Sequence, residues 1–183
     1  VRRLLALATA LLGPLALVLV QPDAHAQGYP SLAKVTDRAG DAPAGVDLLS
    51  GRYQLSVGSA RRATFQVRVK KLTDTTFLAF EVHPEAEGWD RIAVYRENGR
   101  TVAKMYFIDT GEEYPVPTPV PRACPDLSVT WAPGRGEVTV TAPWRCFQAA
   151  SSAYAPFEFQ AYSRVGGQPG GAKDSLPAKD LDF

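Results

Sequence analysis

The sequence predicts an all-β protein, an antiparallel β-sandwich of the jelly-roll type. Three observations lead there. Apolar and polar residues alternate with period two in segment after segment, turn signals separate those segments at sandwich spacing, and no stretch beyond residue 26 shows a helical period. Each alternating segment offers one face to bury and one to wet, as an antiparallel strand does.

The first 26 residues stand outside this pattern. Arg2 and Arg3 precede an apolar run over residues 4–20, and a polar stretch ends in Ala24-His25-Ala26, the small-x-small pattern that signal peptidase cuts after. The expectation is a helical signal peptide at 1–26 and a secreted, extracellular protein beginning near Gln27. An uncleaved anchor is the alternative, but the run is short for a span of about 20 residues and Gly13-Pro14 interrupts it. Residues 27–165 are expected to form one sandwich domain and residues 166–183 a flexible tail.

Along the chain, Ala63, Phe65, Val67 and Val69 alternate with Thr64, Gln66, Arg68 and Lys70. Leu78, Phe80 and Val82 alternate with Phe77, Ala79, Glu81 and His83, and the same pattern recurs at residues 127–131, 137–141 and 157–162. Asn98-Gly99 marks a two-residue type I′ hairpin, because both central residues of that turn need positive φ. That turn places Glu97 opposite Arg100, Ile92 opposite Met105, and Asp90 opposite Phe107. Arg91, Tyr95, Lys104 and Tyr106 then share the other face. Residues 132–136 make a second hairpin turn. Cys124 and Cys146, the only two cysteines, flank that hairpin and are expected to form a disulfide across its open end. Closing a loop of this size stabilises a chain by roughly 3 kcal/mol in the chain-entropy model. The proline-rich residues 114–121 are not expected to be a strand: they must be extended but cannot pair centrally, so they should cross between sheets or border an edge. The Gly/Pro/Lys/Asp mixture after residue 166 should bury little, with Leu181-Asp182-Phe183 able to dock as a short strand.

Composition limits function. The chain has 20 basic and 19 acidic residues, and loss of Arg2, Arg3 and Asp23 with the signal peptide leaves the two in balance. Such a chain gives no electrostatic reason to bind nucleic acid or an anionic membrane. A monomer without a cofactor is expected. No G-x-S-x-G elbow, H-E-x-x-H or phosphate-binding loop is present, and His83 is the only histidine beyond the signal peptide. It shares a strand face with Glu81 and reads most simply as an exposed histidine near a carboxylate. A two-carboxylate glycosidase would look to the acidic residues 85–90.

Two constellations remain. Asp37, Asp41 and Asp47 lie with Gly40 and Gly45 in one short segment, a hard-oxygen set that calcium prefers, although the spacing is not that of an EF-hand. The plainer alternative is that Asp and Gly make turns there. The Arg91/Tyr95/Lys104/Tyr106 face could stack on pyranose rings and bond their hydroxyls, or could simply be aromatic and cationic cross-strand packing.

The block Val35-Thr36-Asp37 followed by residues 40–47, with Trp131 before a Pro-Gly turn and Pro143-Trp144-Arg145-Cys146 after a Val-Thr strand, resembles small secreted β-sandwich domains frequent in actinobacteria. These are similar to family 9 carbohydrate-binding modules and DOMON-like sandwiches, some of which bind sugar, haem or metal. The resemblance spans roughly residues 33–163 and carries no catalytic residue. An axial haem ligand would have to be Met105 or His83, one facing the core and the other ending a strand, so haem is not expected. The implied function is a secreted, non-catalytic module that binds carbohydrate or the cell envelope. A protein-binding or structural accessory, partnered by an envelope protein, is the alternative, and a glycoside hydrolase is a third class.

Overall fold

The computed structural model describes residues 31–56, 61–83, 88–109, 118–148, 157–165 and 168–179. Residues 1–26, expected as a signal peptide, the residues Glu85 and Glu87, and Leu181–Phe183 lie outside the described residues. Two antiparallel sheets face each other. One holds five strands in the order β1 (Ser31–Thr36), β2 (Leu48–Leu55), β3 (Arg62–Val69), β9 (Glu137–Pro143) and β8 (Ser128–Ala132). The other holds six, in the order β11 (Gln168–Lys179), β10 (Phe157–Val165), β4 (Thr76–Val82), β5 (Trp89–Glu97), β6 (Arg100–Asp109) and β7 (Thr118–Arg122). Most neighbours are sequential hairpins. The exceptions are β3·β9 and β4·β10, where the chain returns to each sheet after a long excursion and gives the sandwich its jelly-roll-like crossing.

The core lies between the sheets. Period-two alternation sends Ala63, Phe65, Val67 and Val69 inward from β3, Val138 and Val140 from β9, and Leu78, Phe80 and Val82 from β4. Phe65 sits at its centre, with ring centroids 5.0 Å from Tyr53, 5.8 Å from Phe80 and 5.9 Å from Phe147. Gly51 on β2 admits the neighbouring sheet closely, since a Cβ there would stand 2.5 Å from the Phe159 ring.

Both expected hairpins form. Asn98 and Gly99 have φ of 50° and 74°, and the pairings Ile92–Met105, Asp90–Phe107, Arg91–Tyr106 and Tyr95–Val102 follow. Cys124 and Cys146 are bonded, with 5.5 Å between their Cα atoms, closing the open end of the β8–β9 hairpin.

Three expectations are corrected. β4 was expected to wet one face, yet all seven of its residues are buried. It is a central strand, and its outward residues Phe77 and Ala79 pack with Ala93 and Tyr95 into a second apolar cluster. The proline-rich stretch is not wholly strandless: Thr118–Arg122 pairs with β6 as the edge strand β7, a position where Pro119 and Pro121 forfeit no ladder bond needed by a further neighbour. The flexible tail is the largest correction. Residues 168–179 form β11, the other edge of the same sheet, with Leu176 fully buried and Asp174 accepting from the Leu48 N–H at 2.7 Å.

Leu176→Ala should therefore destabilise the fold by about 2–5 kcal/mol in urea unfolding, as removal of a buried leucine does. An unchanged midpoint would return the segment to the status of a tail.

Candidate functional site

The outer face of the six-stranded sheet is ordered by register into transverse rows. Glu158, Glu81, Arg91, Tyr106 and Pro121 form one row, and Tyr162, Phe77, Tyr95 and Val102 another. The four predicted ligand residues Arg91, Tyr95, Lys104 and Tyr106 are thus on one face, but three are engaged within the protein. Tyr95 is 8% exposed and its ring lies 5.6 Å from Phe77, nearly parallel at 11°. Arg91 donates from Nε to Glu81 Oε1 at 2.6 Å and forms a second, shorter contact through its guanidinium. The Tyr95 hydroxyl beside Lys104 pushes its ammonium above the usual range, with Tyr106 adding to this. Tyr106 and Lys104 border a cleft of about 490 Å³ beside Pro121 and Arg122 at the β6–β7 edge.

The predicted calcium residues divide. Asp37 and Asp41 come together with Asp174 from β11, and one carboxylate oxygen of each lies within 4.8 Å of the others. Asp47 is not in that set. It is fully buried, accepts from the Gly40 N–H at 2.9 Å and lies 3.2 Å from Lys70 Nζ. Burial pushes the Asp174 carboxyl up, and although the Leu48 and Ser175 N–H groups oppose this, the Asp41 and Asp37 charges reinforce it. Sequence reading missed Asp174 because its strand carries no period-two signal.

Asp90, from the segment considered for a glycosidase, is also fully buried. It accepts from Arg122 Nη1 at 2.9 Å and from the Gln148 N–H, tying β5 to the edge strand β7. It is committed to the fold.

The five-stranded sheet presents a different outer face. One row runs Lys34, Arg52, Gln66, Thr139 and Thr130, and the next runs Thr36, Ser50, Arg68 and Glu137. Lys34, Arg52, Gln66, Arg68 and Glu137 line an open trough of about 420 Å³. Among the described residues none of the three cations is in an ion pair, while Glu137 lies 3.5 Å from Arg135. The balanced composition of the chain concealed this, because balance over a whole sequence says nothing about which charges a register collects on one face. In comparisons with protein-family models, curated proteins and solved structures, nothing matches this chain.

Glu81 supplies a pH prediction. Burial pushes its carboxyl up, but the His83 imidazole 3.4 Å away and the Arg91 guanidinium outweigh burial and hold it below the usual carboxylate range. The unfolded chain therefore binds more protons, so this contribution is complete above the unfolded value of about 4.3 and is lost as pH falls through the folded one. Glu81→Gln should flatten the acid limb of a stability–pH curve, and an acid limb of unchanged slope would count against it.

Proposed function

We propose that the protein is a secreted, non-catalytic binding module whose ligand is an acidic carbohydrate of the cell envelope, held on the outer face of the five-stranded sheet. The trough of Lys34, Arg52, Gln66 and Arg68 carries this reading. Among the described residues the three cations are in no ion pair and outnumber Glu137, which stands opposite Arg68, so the trough attracts an anionic ligand, and the rows of Thr, Ser and Gln beside them offer both donors and acceptors to hydroxyls. The short motifs that resemble family 9 modules and DOMON-like sandwiches point to the same class by analogy of sequence. The expected Arg91/Tyr95/Lys104/Tyr106 surface is the weaker location, because Tyr95 stacks on Phe77 and Arg91 is held by Glu81.

The test is retention of the oxidised protein on insoluble neutral and acidic polysaccharides and on bacterial cell walls. Retention should favour acidic material, weaken with added salt, and be competed by free ligand. A charge-assisted hydrogen bond contributes about 1.5–3 kcal/mol, so Arg52→Ala with Arg68→Ala should lower affinity by about tenfold or more. Retention unaffected by the pair would move the site elsewhere. No retention on any matrix would favour the accessory-protein reading.

A structural calcium ion belongs to the same proposal, with Asp37, Asp41 and Asp174 as its carboxylate ligands. Three acidic groups with one carboxyl already pushed toward protonation gain from a divalent cation. EDTA should lower the melting temperature, calcium should restore it, and Asp41→Ala or Asp174→Ala should each abolish the response. A melting curve indifferent to EDTA would end the calcium reading.

A further inference from the structure

Glu81 and Glu158 stand directly opposite each other on β4 and β10, an arrangement that like charges disfavour. Glu81 is only 1% exposed, so water screens the repulsion poorly. The surroundings nevertheless hold both carboxylates in place. Gln160 donates from Nε2 to Glu81 Oε2 at 3.1 Å and to Glu158 Oε1 at 2.9 Å, while its Oε1 accepts from the Tyr162 hydroxyl. These partners fix which end of the amide points at the acids. Arg91 takes Glu81 Oε1, leaving Oε2 directed at the third member of the group, His83.

The His83 ring is stacked on Trp89, with centroids 5.4 Å apart and planes at 25°. Its Nε2 is completely enclosed and has no hydrogen-bond partner among the described residues. That nitrogen lies 3.4 Å from Glu81 Oε2 and 4.0 Å from Glu158 Oε2. The imidazole is close enough to pair electrostatically with Glu81, but no well-aligned hydrogen bond is made there, and the three ligand atoms converge within 4.8 Å of one another.

We propose that Glu81, His83 and Glu158 form a binding site for a divalent transition metal of the zinc class, with one coordination position left open. Zinc binds imidazole nitrogen and carboxylate oxygen at roughly 2.0–2.2 Å, so two ligands of a tetrahedral ion stand about 3.3–3.6 Å apart. The 3.4 Å spacing already meets this, and the 4.0 Å one needs only a small rotation of the partly exposed Glu158. Two carboxylates neutralise the ion, and the imidazole selects a borderline metal over calcium. Gln160, Arg91 and Trp89 supply the outer shell that orients such ligands. Three protein ligands leave the fourth position for water or an oxygen of a bound molecule. The site lies on the opposite outer face from the trough, so either assignment can fail without the other.

The probe is Zn²⁺ alone, added to the oxidised full chain after treatment with EDTA. Titration calorimetry should show tight binding with a Kd of about 1 μM or below, and His83→Ala and Glu158→Gln should each weaken it by about tenfold or more. Both side chains are partly exposed, and circular dichroism of each variant establishes that it folds. The ¹⁵N shift of the His83 ring in the unaltered protein gives a readout independent of any variant, because Nε2 must move when it takes a metal. Zinc that binds both variants as well as the unaltered chain, an unmoved Nε2 signal at saturation, or no heat at about 1 mM Zn²⁺ would overturn the assignment.

Discussion

β4 has no exposed residue from Thr76 to Val82, so it needs a hydrogen-bonded neighbour along each edge and a cover over each face. β5 supplies one edge through a short local connection, but the other must come from β10, far along the chain. β3 is in the same position in the opposite sheet, with β2 on one side and β9 on the other. The two returning strands tie the sheets together, and the register they impose aligns the inward residues into one core around Phe65. The same register aligns the outward residues. The Glu158–Glu81–Arg91–Tyr106 row and the Lys34–Arg52–Gln66–Thr139 row are by-products of packing the core in only one way.

How much of this could be read beforehand depended on whether a local signal existed. Asn98-Gly99 gave the β5–β6 register residue by residue, because two positive φ angles in succession admit few residue types and one loop length. The two cysteines left a single intramolecular pairing. β4 was recognisable as a strand, but its run Phe77-Leu78-Ala79-Phe80 was continuously apolar, and that is the mark of burial on both faces rather than alternation. β11 had no such mark. Glycine, proline, lysine and aspartate dominate it, and a strand with one neighbour can carry them since half of its backbone groups need no partner.

The site residues divide on the same principle. Asp37 and Asp41 were legible because they lie close in sequence, and their third companion Asp174 was not, because only tertiary pairing brings β11 beside the 37–47 loop. Arg91, Tyr95, Lys104 and Tyr106 were correctly assigned to one face, yet periodicity cannot say that Tyr95 would stack on Phe77 or that Arg91 would be held by Glu81. His83 and Glu81 were visible as neighbours on a strand face. Glu158, which turns that pair into a three-ligand group, entered only through the β4·β10 pairing.

The contact between the Leu48 N–H and Asp174 spans 126 positions and joins nearly the first strand to the last. Both returning strands and β11 come from the final third of the chain, so a growing polypeptide holds β3 and β4 with unpaired edges until almost all of it is available. Assembly dominated by such distant partners is slow. Closure of both sheets therefore depends on strands that are made last. The Cys124–Cys146 bond would form within a hairpin whose own residues are already close in sequence, so oxidation can follow emergence of that hairpin without waiting for closure.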